Sequence, residues 1–362
     1  MKPTLHILSL PHTQMTSDYV SCAYTEKARK LAIMMENEGY EVVVYASEDF
    51  DPRIKGDKVT CITKNEQEQY FGSPDQYKKT MYNITWGPSD PCWVHFNNNA
   101  ISQIEKRIKP KDLILTFAGY CQEQVAKAFP ENMTVEAGIG YTGWFSPYKV
   151  FESSSHQHYC YGERHQDNGN FYDVVIPNYW DIDEFPFAEK TEDYFLFVGR
   201  LIDRKGYAIA QEVCEKLGKR LILAGQLDKD QEFTGYGEHI GTVNVEERGE
   251  LMSKAKALFV PTKYLGPFEG VHAEAMLCGT PVITTNFGVF VETVKDGFNG
   301  KRCDVYKDFV EAVRWAENVS QDQRKMIRRD TQSKYGLEAV AKQYDKYFMR
   351  LMDLYENGWY QL

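Results

Sequence analysis

Short apolar runs alternate with amphipathic stretches along the first half of the chain. Residues 4–10, TLHILSL, predict a buried strand, and residues 41–47, EVVVYAS, predict the next one. Between them, apolar side chains recur at helical spacing and place one apolar face on a helix: Tyr24, Ala28, Leu31, Ala32 and Met35. Gly39 is expected just after the end of that helix. This strand-helix-strand order is typical of a parallel, doubly wound sheet.

The alternation continues through residues 112–120 and 133–141, whereas residues 61–95 show no periodic pattern. Residues 176–187 contain two prolines and several acids, and we interpret them as a hinge between two domains. A second array of short apolar segments follows that hinge, at 194–201, 220–226, 239–243, 257–262 and 281–285. The sequence therefore predicts a second Rossmann-like α/β domain.

A wide aromatic stripe marks the last helix. Its members lie at helical spacing: Val340, Tyr344, Tyr347, Phe348, Leu351, Met352 and Tyr355. The domain prediction is accordingly 1–177 for the first domain, 178–338 for the second, and 339–362 for the terminal helix.

Composition excludes several classes of protein. The 362 residues carry a formal net charge of −10 without a long basic block, which disfavours a nucleic-acid partner. The eight cysteines form no CxxC pair, so neither a zinc site nor a disulfide framework is indicated. No apolar run reaches the length of a membrane span, and we expect a cytoplasmic protein without an integral membrane segment. A peripheral membrane contact through the basic residues near 106–111 stays open.

Two cations follow the first strand of the second array, in FVGRLIDRKG. Arg200 comes directly after the strand, and Lys205 lies five residues on, near a helix start. Both are expected at the carboxyl edge of a parallel sheet, where open α/β sheets bind ligands. Fixed cations there suit a ligand that carries or develops negative charge. The alternative is a pair of exposed bases at a strand end.

The segment 261–282, PTKYLGPFEGVHAEAMLCGTPV, predicts a loop, a short helix and a strand. The backbone N–H groups of Phe268, Glu269, Gly270 and Val271 would lie where that helix begins. Such a helix start favours an anionic group such as a diphosphate. Glu274, one turn into the helix, is placed to accept hydrogen bonds from a pair of hydroxyl groups.

These two segments resemble the donor-binding motifs of retaining glycosyltransferases of the GT-B fold, family 4 (glycosyl transferases group 1). The resemblance implies two Rossmann-like domains facing across a cleft, with the terminal helix crossing back to the first. It also implies that Arg200 and Lys205 hold the donor diphosphate and that Glu274 binds the nucleotide ribose. The implied reaction is metal-independent transfer from a nucleotide sugar, UDP-sugar favoured over GDP-sugar, to a hydroxyl acceptor, without a cofactor.

One departure from the family pattern concerns the donor sugar. The first motif glutamate of the family falls on Gly266 here, and a glutamate stands instead at Glu269, where relatives commonly have glycine. Either the carboxylate has moved and contacts the sugar from position 269, or that contact is lost and Glu269 is a surface acid.

Further candidates lie in and near the first domain. Thr16 and Ser17 occupy the first β-α loop, where relatives often have paired glycines. Glu136 is expected at a strand end facing the cleft, as a contact to the transferring sugar or as an ordinary acid. The acceptor-side candidates are Tyr141, His156 and His158, although partly buried, hydrogen-bonded histidines are the slightly favoured interpretation of positions 156 and 158.

Two other functions compete with glycosyl transfer. A sugar-nucleotide epimerase or hydrolase of similar fold would recruit Glu136, His156 and His158 to act on the sugar itself. A catalytically degenerate nucleotide-sugar-binding protein is suggested by Gly266 and by the missing glycines of the first loop. An epimerase or hydrolase would turn over the nucleotide sugar without an acceptor, unlike a transferase. A degenerate binding protein would bind the nucleotide sugar without turning it over.

Overall fold

The computed structural model describes residues 2–19, 22–73, 84–227 and 232–357. The chain forms two compact units. The first unit comprises Met1–Glu152, Cys160–Tyr179 and Val340–Leu362, and the second comprises Ser153–Tyr159 and Trp180–Ala339. The main division therefore falls between Tyr179 and Trp180, just beyond the predicted boundary at Pro177.

Seven strands form the sheet of the first unit in the part of the chain that the structure describes. They are β1 (Leu5–Leu8), β2 (Val42–Ala46), β3 (Asp57–Thr60), β4 (Leu113–Thr116), β5 (Thr134–Ile139), β6 (Tyr148–Phe151) and β7 (Asp173–Val175). The helices between them are α1 (Ala23–Asn37), α2 (Lys64–Phe71), α3 (Pro91–Ile104), α4 (Glu123–Ala128) and α5 (Ser154–Glu163). Helix α5 contributes residues to both units.

The seven strands form one parallel sheet in the order β3-β2-β1-β4-β5-β6-β7. Strand β1 pairs with β2 on one side and with β4 on the other, so the winding direction reverses at β1. The strands β1, β2, β4 and β5 are buried along their length because helices cover the sheet. This is the doubly wound arrangement that the apolar runs predict.

The described residues of the second unit contain six strands. They are β8 (Phe195–Val198), β9 (Leu221–Ala224), β10 (Glu238–His239), β11 (Leu258–Val260), β12 (Val282–Thr285) and β13 (Gly300–Cys303). Its helices are α6 (Tyr207–Leu217), α7 (Val245–Lys254), α8 (Val271–Leu277), α9 (Phe290–Thr293), α10 (Tyr306–Ala316) and α11 (Gln321–Tyr335).

The second sheet is also parallel, in the order β10-β9-β8-β11-β12-β13. Strand β8 pairs with β9 and with β11, so the winding direction reverses between β8 and β11. Loops that follow these two strands diverge to opposite faces of the sheet and leave a crevice, which is where such folds bind ligands. The topology thus singles out the loops after Val198 and Val260.

Helix α12 (Leu337–Asn357) ends the described chain, and from Val340 onward it belongs to the first unit. Most of its aromatic stripe is buried there, including Tyr344 and Phe348. The hydroxyl of Tyr347 donates a hydrogen bond to the carbonyl of Tyr172 at 2.7 Å. The hydroxyl of Tyr355 accepts one from the N–H of Met133, also at 2.7 Å.

Sequence reasoning found no regular structure in residues 61–95, and the structure shows two helices in and around this segment. Thr63 and Glu66 form a reciprocal capping box at the start of α2. Asp90 precedes α3, whose first position is Pro91. Both are start signals readable in the sequence, and the aromatic content of the segment obscured them. Residues 74–83 of this segment lie outside the described residues.

Candidate active site

The loops after β8 and β11 meet at the reversal point of the second sheet. Arg200 follows Gly199 at the end of β8, and the loop continues to Lys205. A backbone hydrogen bond from the N–H of Lys263 to the carbonyl of Arg204, 2.9 Å long, joins this loop to the loop after β11. The two segments that the sequence singles out are therefore adjacent in space.

Lys205 and Glu269 form an ion pair between these loops. The Lys205 Nζ lies 2.6 Å from Glu269 Oε2, and the hydroxyl of Thr262 donates to the same oxygen at 3.3 Å. The Lys205 side chain is 21% exposed and the Glu269 side chain only 4% exposed. Lys205 is thus accessible from solvent, whereas its carboxylate partner lies beneath it.

Arg200 differs from Lys205 in having no acidic partner among the described residues. Its side chain is exposed, and no hydrogen bond or ion pair joins it to any other residue that the structure describes. The neighbouring Arg204 instead covers the ring of Tyr264, with 3.7 Å between the guanidinium carbon and the ring centroid. Arg200 is consequently available to an anionic ligand.

The start of helix α8 presents free backbone donors, as the sequence predicts. Within the described residues, the N–H groups of Phe268, Glu269, Gly270 and Val271 donate no hydrogen bond. The Phe268 ring itself is a core residue, 5.5 Å from the Trp180 ring and 5.4 Å from the Tyr335 ring, centroid to centroid. A ligand at this helix start would therefore meet the backbone of Phe268 rather than its side chain.

The buried side chain of His272 is hydrogen-bonded to the backbone of this loop. Its Nδ1–H donates to the carbonyl of Glu269 at 2.7 Å, and the ring stacks on Phe268 with 5.4 Å between centroids. Burial lowers the pKa of His272 to about 4, so the imidazole is neutral at neutral pH. Sequence reasoning did not single out His272, because its role depends on the fold of the loop.

Glu274 is held by two side chains from distant parts of the second unit. Its Oε2 lies 3.2 Å from Nε of Arg248 on α7, and its Oε1 accepts a hydrogen bond of 3.4 Å from the indole N–H of Trp180. The Glu274 side chain is 14% exposed. Arg248 and Trp180 were missed from the sequence because they lie far from Glu274 in the chain.

The segment Ser153–Tyr159 packs on the same loop. The Ser153 hydroxyl donates to the carbonyl of Pro267 at 2.7 Å. The N–H groups of Ser154 and Ser155, at the start of α5, donate to the carboxylate of Glu292 at 2.9 and 2.6 Å. These contacts fix the chain immediately before Phe268.

The two predicted histidines lie in this segment, which groups with the second unit rather than with the first domain as predicted. His156 is buried, its N–H bonded to the Ser153 hydroxyl at 3.1 Å, whereas His158 is exposed. The buried position of His156 fits a core histidine better than an acceptor contact.

The prediction that Glu136 ends a strand facing the cleft is wrong. Glu136 lies within β5, which continues to Ile139, and its side chain is fully buried. Its carboxylate accepts hydrogen bonds from the N–H groups of Phe145 and Ser146 at 2.9 and 2.8 Å, and from the Tyr141 hydroxyl at 3.1 Å. Burial raises the pKa of Glu136 to about 7. Glu136 and Tyr141 are therefore hydrogen-bonded to each other, and the Glu136 carboxylate fixes the position of the 141–146 loop.

Thr16 and Ser17 lie at the short 3₁₀ turn Ser17–Tyr19 in the first unit. Thr16 is half-buried and Ser17 is exposed. The preceding residues of this loop are buried, including Thr13, whose hydroxyl bonds that of Thr25 at 2.6 Å. The hydroxyls at 16 and 17 are therefore accessible, whereas that of Thr13 is buried in a hydrogen bond within the core.

No three His, Cys, Asp or Glu side chains among the described residues lie close enough together to hold a metal ion. None of the described helices has the length and apolar character needed to cross a membrane.

Comparison with known proteins agrees with this geometry. Residues 178–333 match the family model "Glycosyl transferases group 1". The chain is 30% identical over 176 residues to an uncharacterised glycosyltransferase of Methanocaldococcus jannaschii, over 43% of this chain and 44% of that protein. The chain thus spans less than half the length of this curated relative.

Solved structures match nearly the whole chain. A glycosyltransferase involved in avilamycin A biosynthesis superposes with a TM-score of 0.67 at 19% identity, over 97% of this chain and 98% of the other. The Anabaena protein HepE, solved with UDP and glucose, gives 0.62 at 14% identity, over 96% and 100%. The two parallel-sheet units together with these matches define a GT-B fold, as predicted. The matched residues 178–333 lie almost entirely in the second unit.

Proposed function

We propose that this protein is a retaining, metal-independent glycosyltransferase of family 4 that transfers a sugar from a nucleoside diphosphate sugar to a hydroxyl acceptor. The observation that carries the proposal is the cluster of anion-binding groups at the reversal point of the second sheet. Exposed Arg200, half-buried Lys205 and the free N–H groups at the start of α8 all belong to the two adjacent loops. The match of this unit to group 1 glycosyltransferases supports the same conclusion.

The proposed roles follow from charge and position. Arg200 and Lys205 bind the diphosphate and stabilise the negative charge that grows on it as the glycosidic bond breaks. The N–H groups of Gly270 and Val271 donate to the same phosphates. Glu274, held by Arg248 and Trp180, accepts hydrogen bonds from the two ribose hydroxyls. Glu269 remains a candidate contact to the donor sugar.

Retention requires the acceptor oxygen to bond the anomeric carbon on the face from which the diphosphate leaves. In the proposed step the bond from the anomeric carbon to the phosphate oxygen breaks, and the acceptor hydroxyl passes its proton to that oxygen. No carboxylate of the chain has to act as a base. The carboxylate of Glu136 is buried and accepts hydrogen bonds from the N–H groups of Phe145 and Ser146.

The donor and the acceptor are proposed only by class. A UDP-sugar is favoured because a structural neighbour binds UDP and glucose. The acceptor is a hydroxyl compound, and half-buried Thr16 and exposed Ser17 in the first unit stay candidates for contacts to the donor.

The first test is nucleotide release from a panel of UDP-, GDP- and ADP-sugars, with and without EDTA. Slow release from one donor that EDTA does not change supports a metal-independent transferase and names the donor. Rapid turnover of the sugar nucleotide without an acceptor would favour an epimerase or hydrolase instead. Tight nucleotide binding without release, even with acceptors supplied, would favour a degenerate binding protein.

The residue test compares Lys205→Ala with Lys263→Ala. Lys205→Ala is expected to lower turnover by about 100-fold or more, because a cation aimed at the leaving group is lost. Lys263 lies in the adjacent loop, but its side chain is exposed and pairs with Asp203, so Lys263→Ala removes the same charge outside the site. Equal turnover in the two variants would refute the assignment of Lys205.

A further inference from the structure

The ion pair between Lys205 and Glu269 has a consequence for nucleotide binding. Lys205 Nζ lies 2.6 Å from the Glu269 carboxylate, which is nearly inaccessible to solvent. Arg200, on the same loop, has no such counter-ion among the described residues. When no ligand is bound, Lys205 is therefore paired with a carboxylate, whereas Arg200 has no counter-ion among the described residues.

The position of the Glu269 carboxylate is strongly determined by the loop. A Cβ atom added to Gly266 would lie 2.0 Å from Glu269 Oε1, so the carboxylate occupies the space that a side chain at 266 would need. Glu269 itself has a φ of +57°, in the left-handed region that non-glycine residues rarely adopt. Backbone strain of this kind persists where the surrounding structure enforces it and is concentrated at functional sites.

A buried carboxylate beside a phosphate-binding lysine opposes the binding of phosphate. A diphosphate that reaches Lys205 adds negative charge next to Glu269, and like charges at a partly desolvated site repel strongly. The diphosphate also has to share or replace the existing bond to Nζ. Glu269 therefore weakens the binding of any nucleoside diphosphate that uses Lys205.

We propose that Glu269 is a built-in counter-ion of Lys205 that competes with the diphosphate and thereby promotes release of the nucleoside diphosphate product. Without a nucleotide, Glu269 keeps the lysine neutralised and positioned. After transfer, the ion pair re-forms as the nucleotide leaves. This inference rests on the proposed function and adds a positioning and release role for Glu269 that a contact to the donor sugar would not require.

The test is the affinity for UDP, measured by calorimetry on the full chain. Glu269→Gln preserves the shape of the side chain and removes its charge, and it is expected to tighten UDP binding by about five- to tenfold. Glu269→Gly, which also suits the left-handed backbone, is expected to act in the same direction. In steady-state assays both variants should show stronger inhibition by UDP.

The matched control is Asp203→Asn. Asp203 lies two residues before Lys205, is highly exposed and pairs with Lys263, so this variant removes a nearby negative charge outside the ion pair. Its affinity for UDP should equal that of the wild type. An equal gain in Asp203→Asn and Glu269→Gln would show a general charge effect and overturn the proposal.

The remaining outcomes separate this proposal from the proposed function. Unchanged UDP affinity in Glu269→Gln, combined with weaker binding of the UDP-sugar, would make Glu269 a sugar contact only and overturn the counter-ion role. If the wild type binds no nucleoside diphosphate at all, the proposed function fails and this inference with it.

Discussion

At the scale of single residues, the loop 266–270 shows how a side chain and a glycine depend on each other. Glu269 places its carboxylate directly over Gly266, where no other side chain fits. The backbone at Glu269 is left-handed, a conformation that glycine would adopt without strain. Gly266 and Glu269 therefore depend on each other, because the carboxylate of Glu269 fills the space that the missing side chain at 266 leaves.

A double-mutant cycle tests this pairing. Gly266→Glu alone should destabilise the protein by about 1–3 kcal/mol, because two carboxylates would compete for one space next to Lys205. Glu269→Gly in the same chain should recover most of that loss, giving a coupling energy of about 1 kcal/mol or more. Urea unfolding of the four proteins measures it. Additive effects of the two changes would show that the side chains do not share the space.

Glu136 illustrates a residue whose role the sequence could not reveal. A strand-end acid and an acid within a strand look alike in VEAGIGYTG, because the end of β5 is set by its pairing with β6. The register shift between Glu136 and Ile139 extends β5 beyond the glutamate. The carboxylate consequently bonds the following loop instead of facing a ligand.

At the scale of elements, the junction between β8 and α6 depends on one glycine. Gly206 has a φ of +75°, and a Cβ added there would lie 2.0 Å from the carbonyl oxygen of Pro261, in the loop after β11. This close approach of two backbones brings Lys205 to the loop that carries Glu269. The turn geometry is therefore part of the site.

Gly218, at the other end of α6, provides the control for this junction. It has a similar φ of +62°, but a Cβ there would meet no atom within 4 Å. Gly218→Ala should cost only the left-handed backbone penalty, about 1–2 kcal/mol. Gly206→Ala should cost at least about 2 kcal/mol more, because the clash is with backbone that cannot move aside. Equal unfolding free energies for the two variants would contradict the close packing at Pro261.

At the scale of the whole molecule, buried titratable groups predict which unit is sensitive to acid. In the second unit, burial lowers the pKa of His272 to about 4 from a usual 6.5. The folded state then binds fewer protons than the unfolded state between these values. His272 therefore does not reduce the free energy of unfolding above pH 6.5, and it reduces it progressively as the pH falls from 6.5 toward 4.

In the first unit, two of the buried groups act in opposite directions. Burial lowers the pKa of His12 to about 3, so His12 also disfavours folding in acid. Burial raises the pKa of Glu136 to about 7 from 4.5, so Glu136 contributes stability at low pH that is lost as the pH rises from 4.5 to 7. The two effects offset each other between pH 4.5 and 6.5, and the net loss should fall on the second unit.

Replacing His272 tests this prediction. At pH 5 the histidine should cost the wild type about 2 kcal/mol of unfolding free energy relative to pH 7.5. His272→Gln keeps a donor for the Glu269 carbonyl and should lack this part of the pH dependence. Urea unfolding at both pH values measures the difference, with His158→Gln as the control because His158 is exposed. A pH dependence identical in His272→Gln and the wild type would refute the role of His272.

The elements that sequence reasoning recovered are those with a strong local signal. Strands β1, β2, β4, β8, β9, β11 and β12 are short apolar runs, and α1 and α12 carry periodic apolar faces. Helices α2 and α3 were missed although Thr63, Glu66 and Pro91 mark their starts, since the segment between them is polar and aromatic without a period. Capping signals are local but weak, and tertiary packing decides whether a helix forms around them.

The sequence by itself determined the two parallel α/β domains and the positions of Arg200, Lys205 and Glu274 relative to strand and helix starts. These depend on hydrophobic periodicity and on the end of a strand or helix, which are properties of neighbouring residues. Only the tertiary structure decided that Glu269 pairs with Lys205 and that Arg248 holds Glu274. Those contacts join residues far apart in the chain, and their energies depend on distance and burial, which no local pattern encodes.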